Sequence, residues 1–188
     1  SNHEYFTLLG RQLIGALSEL TADGYVFRVD MRLRPYGDGG PLVASFDALE
    51  NYFITQGREW ERYAWIKARA LTGDHGTELM DLVRPFVYRR HLDYNAIAAL
   101  RDLHSQIRRE VESRDLLDNI KLGPGGIREI EFTAQVFQLI RGGRDPELRR
   151  QPTLAVLPLL ANRNLLPVEA VRELADAYRF LRNLEHRL

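Results

Sequence analysis

The sequence of 188 residues contains no cysteine. This absence excludes disulfides, thiolate chemistry and cysteine-rich zinc sites. The sequence also lacks an apolar run long enough to cross a membrane, and its first residues have neither the basic start nor the apolar centre of a signal peptide. We therefore predict a cytoplasmic protein with no membrane partner.

An excess of charge of either sign is also missing. The 26 basic side chains balance the 26 acidic ones, so no overall field would hold the chain on nucleic acid. We predict no nucleic-acid partner, and any phosphate-binding site must be built locally.

Most of the chain has apolar residues at helical spacing. The first such run covers residues 5–20 and stops at Asp23 and Gly24, a typical helix exit. A second helix is predicted after Ser45 or Asp47, either of which is a suitable N-cap. Further helices are predicted over residues 59–71, 76–91, 94–114, 126–141, 153–161 and 167–188.

One segment has the alternation of a β-strand instead. In residues 25–34, apolar side chains at odd positions alternate with mostly charged ones at even positions. A proline- and glycine-rich loop over 35–41 follows, and residues 42–44 are a candidate returning strand. The change of pattern near Ser45 predicts two domains, 1–45 and 46–188.

The predicted strand carries the first constellation that suits chemistry. Asp30 lies on the same face as Arg28, Arg32 and Arg34, and two-residue spacing places the nearest two arginines beside it. Arginines in that position can grip phosphate oxygens. The pattern alone favours a plainer interpretation, an exposed edge strand with solvated charges.

A second constellation is the glycine-rich turn at Lys121, which leads into the helix over 126–141. Backbone amides at Gly125 and Gly126 lie near the predicted helix start and can hold an anion, although the full phosphate-loop pattern is missing. The same turn can serve only as a helix entry. In the helix, three- and four-residue spacing predicts a polar stripe that contains Arg128, Glu131, Gln135 and Gln138. Geometry alone favours a solvated face for this stripe, with an ion pair between Arg128 and Glu131.

A third constellation combines aromatic and basic residues over 57–69. Trp60 and Lys67 share one helix face and Arg62 and Arg69 share another. Such residues can stack a base and hold its phosphates, but they also occur as buried tryptophans and extended arginines in helical bundles. The five histidines are scattered without a ligand pair, which makes a zinc site improbable.

Several of these motifs together resemble the bifunctional glutamine synthetase adenylyltransferase/adenylyl-removase family. The matching motifs are RVDMRLRP at 28–35, GPLV at 40–43, WERY at 60–63, KAR at 67–69, KLGPGGIREIEF at 121–132 and FQLIRGGR at 137–144. The resemblance extends from about Tyr5 to the C-terminus. The motif at 137–144 resembles the adenylyl-removing half more closely than the adenylyl-adding half.

The resemblance implies a mainly α (α+β) fold, in which the remnant of a polymerase-beta-like nucleotidyltransferase sheet is followed by a helical bundle. In that superfamily three carboxylates hold two Mg²⁺ ions, and two metal ions can clamp the attacking and leaving oxygens of a phosphoryl centre. Asp30 matches the third carboxylate and is the implied catalytic residue and metal ligand. The implied phosphate or nucleotide contacts are Arg28, Arg32, Arg34, Lys121, Arg128 and Glu131.

The sequence departs from the family pattern because the paired acid-x-acid carboxylates would precede the first helix. We therefore expect the isolated chain to be inactive. The implied activity of the complete domain is phosphorolysis of adenylyl-tyrosine on glutamine synthetase, with phosphate as substrate and ADP as product, and a PII-type signalling protein is a possible second partner. Two alternatives stay open, a non-catalytic helical docking or regulatory module and the adenylyl-adding half.

Overall fold

The computed structural model describes residues 1–90, 98, 102, 105, 106, 109, 113 and 119–187. The chain divides into two compact units, Ser1–Gly57 and Arg58–Leu188. Apart from the single positions above, the helix predicted over 94–114 lies outside the described residues, as does His91. The domain boundary near Ser45 stays a prediction.

The described residues are mainly helical, as predicted. Two short 3₁₀ helices, Gly37–Gly39 and Pro146–Arg149, occur in the loops. The α-helices are α1 (Asn2–Ser18), α2 (Phe46–Thr55), α3 (Glu59–Trp65), α4 (Gly76–Val87), α5 (Ile127–Arg141), α6 (Thr153–Asn162) and α7 (Val168–Glu185).

The first unit contains α1 and α2. Helix α1 begins with a capping box in which Ser1 and Glu4 satisfy each other's backbone donors, yet none of its residues is buried. Helix α2 begins at the predicted cap, where the Ser45 hydroxyl accepts from the Ala48 backbone N–H at 3.2 Å. Its buried face consists of Leu49, Tyr52 and Phe53.

The strand predicted over 25–34 is not formed. In the described ranges the one β-type pairing is an isolated bridge between Thr21 and Gly24, so the sheet remnant is not present there. In this segment, side chains form hydrogen bonds with backbone groups that strand pairing would otherwise use. The Asp30 carboxylate accepts from the Arg32 backbone N–H, and the Arg34 side chain donates to the Met31 carbonyl. A short hairpin without further strands is also marginal in water.

The core of the second unit lies between α5, α6 and α7. Helix α6 is apolar on nearly every side and sits at its centre, with Val156, Leu157 and Leu160 fully buried. The 3₁₀ helix at 146–149 closes one end with Leu148. The other buried members of this core are Ile127, Ile130, Ala134, Val171 and Tyr178.

Buried polar side chains bind backbone groups between elements. Arg62, 2% exposed, donates to the Val87 carbonyl at 3.2 and 3.0 Å and forms an ion pair with Glu59. A buried guanidinium needs such acceptors, since an unpaired buried charge is costly. Arg62 therefore joins α3 to α4.

Among the described helices, none has the length and apolarity needed to cross a membrane.

An ion-pair network holds the 3₁₀ helix against the end of α6. The Arg163 guanidinium donates to the carboxylates of Asp145 and Glu147, and all three residues are described. These hydrogen bonds, from Arg163 above all, lower the pKa of the Asp145 carboxyl below its ordinary value of 3.8.

Truncation of the core is expected to destabilise the second unit. We expect Leu157→Ala to lower the free energy of unfolding by about 2–5 kcal/mol, because it removes a fully buried side chain and leaves a cavity. Urea unfolding followed by tryptophan fluorescence measures this, since Trp60 and Trp65 both lie in this unit. The control Leu71→Ala, at a side chain 80% exposed, should change stability by less than about 0.5 kcal/mol.

Loss of the Arg163 ion pairs should lower the free energy of unfolding by an amount that depends on pH. A lowered carboxyl pKa adds stability above the unfolded pKa, and this stability is lost as pH falls through the folded pKa. We expect Arg163→Gln to cost no more than about 1 kcal/mol at pH 7, with the difference from the parent narrowing as pH falls below the ordinary Asp range. Urea unfolding at several pH values measures the difference in the free energy of unfolding between the parent and the variant. A difference that grows as the pH falls would contradict the stabilising ion pair between Arg163 and Asp145.

Candidate functional site

Asp30 lies on an exposed loop of the first unit and is held by one neighbour. Arg32 Nη2 lies 2.6 Å from Asp30 Oδ2, Arg32 Nε lies 3.0 Å from both carboxylate oxygens, and the Arg32 backbone N–H donates to Oδ1 at 3.0 Å. This forked geometry is the strong form of a charge-assisted hydrogen bond. Asp30 and Arg32 thus form one chelated unit.

The charge state of Asp30 follows from this contact. Hydrogen bonds from the Arg32 side chain and backbone, with a smaller contribution from the charge of Arg28, lower the pKa of Asp30 to about 2. The carboxylate is therefore ionised at neutral pH. Arg28 is exposed and close enough to act on Asp30 electrostatically, so the structure brings these three predicted residues together.

Arg34 has a different environment from the other two arginines. Its side chain is 19% exposed, and its guanidinium donates to the backbone carbonyls of Met31, Asp38 and Gly40 at 2.8, 2.6 and 3.1 Å. These three bonds use donors from every nitrogen of the side chain. In this conformation Arg34 holds the loop over 31–40 in shape.

The glycine-rich turn uses its own amides internally. The Gly125 N–H donates to the Glu129 carboxylate at 2.9 Å, and the Gly126 N–H donates to the Gly123 carbonyl at 2.9 Å. Gly125 has a φ of +71° and Gly126 is the N-cap of α5, positions that suit glycine. The described conformation therefore favours the helix-entry interpretation over an anion cradle.

The polar stripe of α5 is not a solvated face. Gln135 and Gln138 are 2% and 1% exposed, and the Gln138 amide donates to the carbonyls of Leu148 and Arg150 at 2.6 and 2.7 Å. Helix α5 is buried on two sides because α7 and the loop after α5 pack against it. The prediction of a solvated stripe is wrong at these two glutamines.

The remaining predicted residues of the second unit are separated. Lys121 is 60% exposed and pairs with Glu185 at 3.1 Å, and Arg128 is exposed on α5. Glu131 is half-buried and accepts from the Tyr178 hydroxyl at 2.7 Å, which replaces the Arg128–Glu131 pair predicted by spacing. Glu131 also lines a cleft of the second unit.

That cleft lies in the second unit between α5, α7 and the start of α6, and has a volume of about 770 Å³. We call it the α5–α7 cleft. It falls within the range of small-molecule sites. Its lining residues are Lys67, Glu131, Pro152, Thr153, Leu154, Tyr178, Arg179, Arg182, Asn183 and His186.

Lys67 enters this cleft from the segment that follows α3. Its ammonium donates to the Gln151 carbonyl at 2.7 Å and to the Thr153 hydroxyl at 2.9 Å. Burial lowers the pKa of Lys67, the charge of Glu131 raises it, and the charge of Arg182 lowers it. Lys67 is therefore a partly desolvated cation in a fixed position.

Sequence reasoning missed most of this cleft. The sequence places Lys67 in the aromatic and basic segment over 57–69 and in the KAR motif of the family resemblance, and the helix of that segment ends at Trp65. Thr153, Tyr178 and Arg182 carry no local motif, and their sequence separation from Lys67 hides the contact. The signals available were the two motifs of the family resemblance that contain Lys67 and Glu131.

The described residues contain no group of three or more His, Asp or Glu side chains placed to hold a metal ion. Asp30 supplies a single carboxylate, and Arg32 binds both of its oxygens. Mg²⁺ requires near-octahedral oxygen coordination. The residues described here do not by themselves fit a magnesium ion.

Two family models match separate parts of the chain. Residues 1–83 match the model described as Glutamate-ammonia ligase adenylyltransferase. Residues 101–188 match the model described as GlnD PII-uridylyltransferase.

Proteins that are similar over the whole chain identify its family. A protein of Chromobacterium violaceum called bifunctional glutamine synthetase adenylyltransferase/adenylyl-removing enzyme is 69% identical over 188 residues, which is all of this chain and 21% of the relative. The chain belongs to this family. Enzymes of the same name from Aromatoleum aromaticum and Nitrosomonas eutropha are 66% identical over 188 residues and 62% identical over 191 residues, again across the whole chain.

The chain spans about a fifth of the length of these curated adenylyltransferase/adenylyl-removing relatives. The family assignment confirms the resemblance drawn from the motifs. It does not assign a role to any single residue, so the roles of Asp30 and the basic residues stay predictions.

The charges around Lys67 make a two-sided prediction. Glu131→Gln should lower the pKa of Lys67 further, because it removes the carboxylate that favours the charged form, whereas Arg182→Gln should raise it by removing a like charge. NMR titration of the lysine side-chain signals measures both shifts. Arg172→Gln, at an exposed position on α7, is the matched control and should leave this pKa unchanged; shifts of the opposite sign would refute the described cleft.

Proposed function

We propose that the chain is part of the adenylyl-removing half of a bifunctional glutamine synthetase adenylyltransferase. The observation that carries the proposal is 69% identity across the whole chain to an enzyme whose name includes both activities. The choice of half rests on the resemblance of the motif at 137–144. In the proposed reaction, phosphate attacks the phosphorus of adenylyl-tyrosine, ADP forms, and the bond to the tyrosine oxygen breaks.

Asp30 is the proposed catalytic carboxylate and metal ligand of the complete domain. Its lowered pKa keeps it anionic, the form that a Mg²⁺ ion binds. Arg32 donates to both oxygens of this carboxylate, so a Mg²⁺ ion held by Asp30 would compete with its guanidinium. Arg28 and Arg32 would supply positive charge for phosphate oxygens beside Asp30.

Each remaining predicted residue has a narrower proposed role. Arg34 is a scaffold for the loop that carries Asp30, because its donors bind backbone carbonyls. Glu131 orients the Tyr178 hydroxyl. Lys121 and Arg128 are exposed cations that can contact a phosphate or a carboxylate, and their roles rest on the family resemblance alone.

The proposed partners follow from the names of the matched proteins. Glutamine synthetase is the substrate named for the relatives. The match of residues 101–188 to a PII-uridylyltransferase model supports a PII-type signalling protein as a second partner. A cytoplasmic location belongs to the same proposal and agrees with the absence of cysteine.

A docking role is the second candidate, and the surface of α1 favours it. Phe6, Leu9 and Leu13 recur at helical spacing on α1 and are 53%, 47% and 55% exposed. An exposed apolar stripe of this kind commonly marks a protein contact. In this alternative the chain binds glutamine synthetase or a signalling protein without taking part in the chemistry.

A chimeric enzyme tests the catalytic proposal. The 188-residue chain would replace the corresponding part of the Chromobacterium violaceum relative, and phosphate-dependent ADP release from adenylylated glutamine synthetase would be measured beside ATP-dependent adenylylation. We expect Asp30→Asn to slow ADP release at least ~100-fold, about 2.7 kcal/mol of transition-state stabilisation, while adenylylation persists. The loss follows from removal of a metal ligand.

Asp23→Asn is the matched control, since this exposed carboxylate lies in the same unit and is not among the predicted site residues. It should leave both activities within about twofold. Loss of adenylylation alone in Asp30→Asn would assign the chain to the adenylyl-adding half. Full retention of both activities would reject a catalytic Asp30 and favour the docking role.

A further inference from the structure

Another cavity of the second unit lies between the end of α3, α4 and the 3₁₀ helix at 146–149. Its volume is about 330 Å³, at the lower end of the range of small-molecule sites. We call it the α3–α4 pocket. The lining residues on which the argument depends are Ile66, Val83, Arg84, Val87, Tyr88 and Arg149.

One part of the pocket wall is apolar and well packed. Ile66 comes from the end of α3 and Val83 and Val87 come from one face of α4, and all three side chains are buried. The side chain of Trp65 adds an aromatic group beside Ile66. A ligand with an apolar body gains free energy here, because contact with this wall removes apolar area from water.

The charged part of the wall is cationic. Arg84 and Arg149 both line the pocket, and none of its described lining residues is acidic. Asp81 forms an ion pair with Arg84 but is not among the lining residues. Burial lowers the pKa of Arg149, and the like charge of Arg84 lowers it further. Two guanidinium groups that repel each other are stabilised by an anion that contacts both.

Arg149 is positioned by the glycine pair of the motif at 137–144. Its guanidinium donates to the carbonyls of Gly142 and Gly143 at 2.6 and 3.5 Å. Its central carbon lies 5.4 Å from the centroid of the Tyr88 ring, within the range of a cation–π contact. A guanidinium has five N–H donors, so these two bonds leave donors of Arg149 for a ligand.

Gly142 also allows the Tyr88 ring to reach this position. A Cβ atom at residue 142 would lie 2.6 Å from Cδ1 of the ring, which is far inside van der Waals contact. The absence of a side chain at Gly142 therefore places the ring against Arg149. The motif at 137–144 thus builds one wall of the α3–α4 pocket through residues distant in sequence from α4.

We propose that the α3–α4 pocket binds a small organic carboxylate with an apolar or aromatic body through Arg84 and Arg149. The two oxygens of a carboxylate match the paired donors of a guanidinium, and the buried aliphatic wall contacts the body of the ligand. A small inorganic anion would bring no apolar surface to this wall. The site goes beyond the proposed function, because it requires neither a metal ion nor a catalytic role of Asp30.

Calorimetric titration of the 188-residue chain with benzoate, benzamide and acetate at constant ionic strength tests the proposal. Benzamide keeps the ring and removes the charge, whereas acetate keeps the charge and removes the ring. We expect benzoate to bind at least ~10-fold more tightly than either, because it alone offers both charged hydrogen bonds and apolar area. Equal binding of benzoate and benzamide, equal binding of benzoate and acetate, or no binding of benzoate overturns the proposal.

Variants locate the binding site. We expect Arg84→Gln and Arg149→Gln each to weaken benzoate binding at least ~10-fold, because each removes a charged contact to the carboxylate. Arg84 is exposed, so Arg84→Gln keeps the test valid if loss of the Arg149 hydrogen bonds disturbs folding, which circular dichroism would reveal.

Arg150→Gln is the matched control, since it removes an exposed positive charge next to Arg149 that does not line the pocket. It should leave benzoate binding unchanged. Full benzoate affinity in Arg84→Gln, or an equal loss of affinity in Arg150→Gln, overturns the proposal.

Discussion

The hydrogen bonds of Lys67 are the contact on which the organisation of the second unit depends. They join the end of α3 to the start of α6 across 84 and 86 residues. The Gln151 side chain returns the contact by donating to the Ala68 carbonyl. Lys67 also lines the α5–α7 cleft, so the side chain that joins these two segments forms part of the cleft wall.

Helix α5 shows how polar groups specify this packing. Its apolar residues Ile127, Ile130 and Ala134 enter the core, while Gln138 binds two carbonyls of the segment around the 3₁₀ helix. Buried amides require partners with defined geometry, whereas apolar contacts tolerate sliding. Gln138 thus fixes where the following loop crosses the helix. Gln135 Oε1 is buried with no hydrogen-bond partner in the described part of the chain.

Local patterns predicted the helices and the family, and failed where the outcome depended on distant partners. The periodicity of α1, α2 and α5 and the Ser45 cap are set by neighbours a few residues away. The prediction of a strand over 25–34 is wrong because alternation does not supply a pairing partner. Asp30 and Arg34 form hydrogen bonds with nearby backbone groups instead. The buried glutamines of α5 and the cleft around Lys67 depend on contacts between segments far apart in sequence.

The closed hydrogen bonding of the glycine-rich turn has a mechanical consequence for the cleft. Ile127 and Arg128 donate their backbone N–H groups to the carbonyls of Ile120 and Lys121, so α5 cannot slide along this segment without breaking several bonds. The Glu131 side of the cleft is therefore rigid. On the opposite side of the cleft, Arg179 and His186 near the end of α7 are exposed to solvent, so water reaches the cleft from that side.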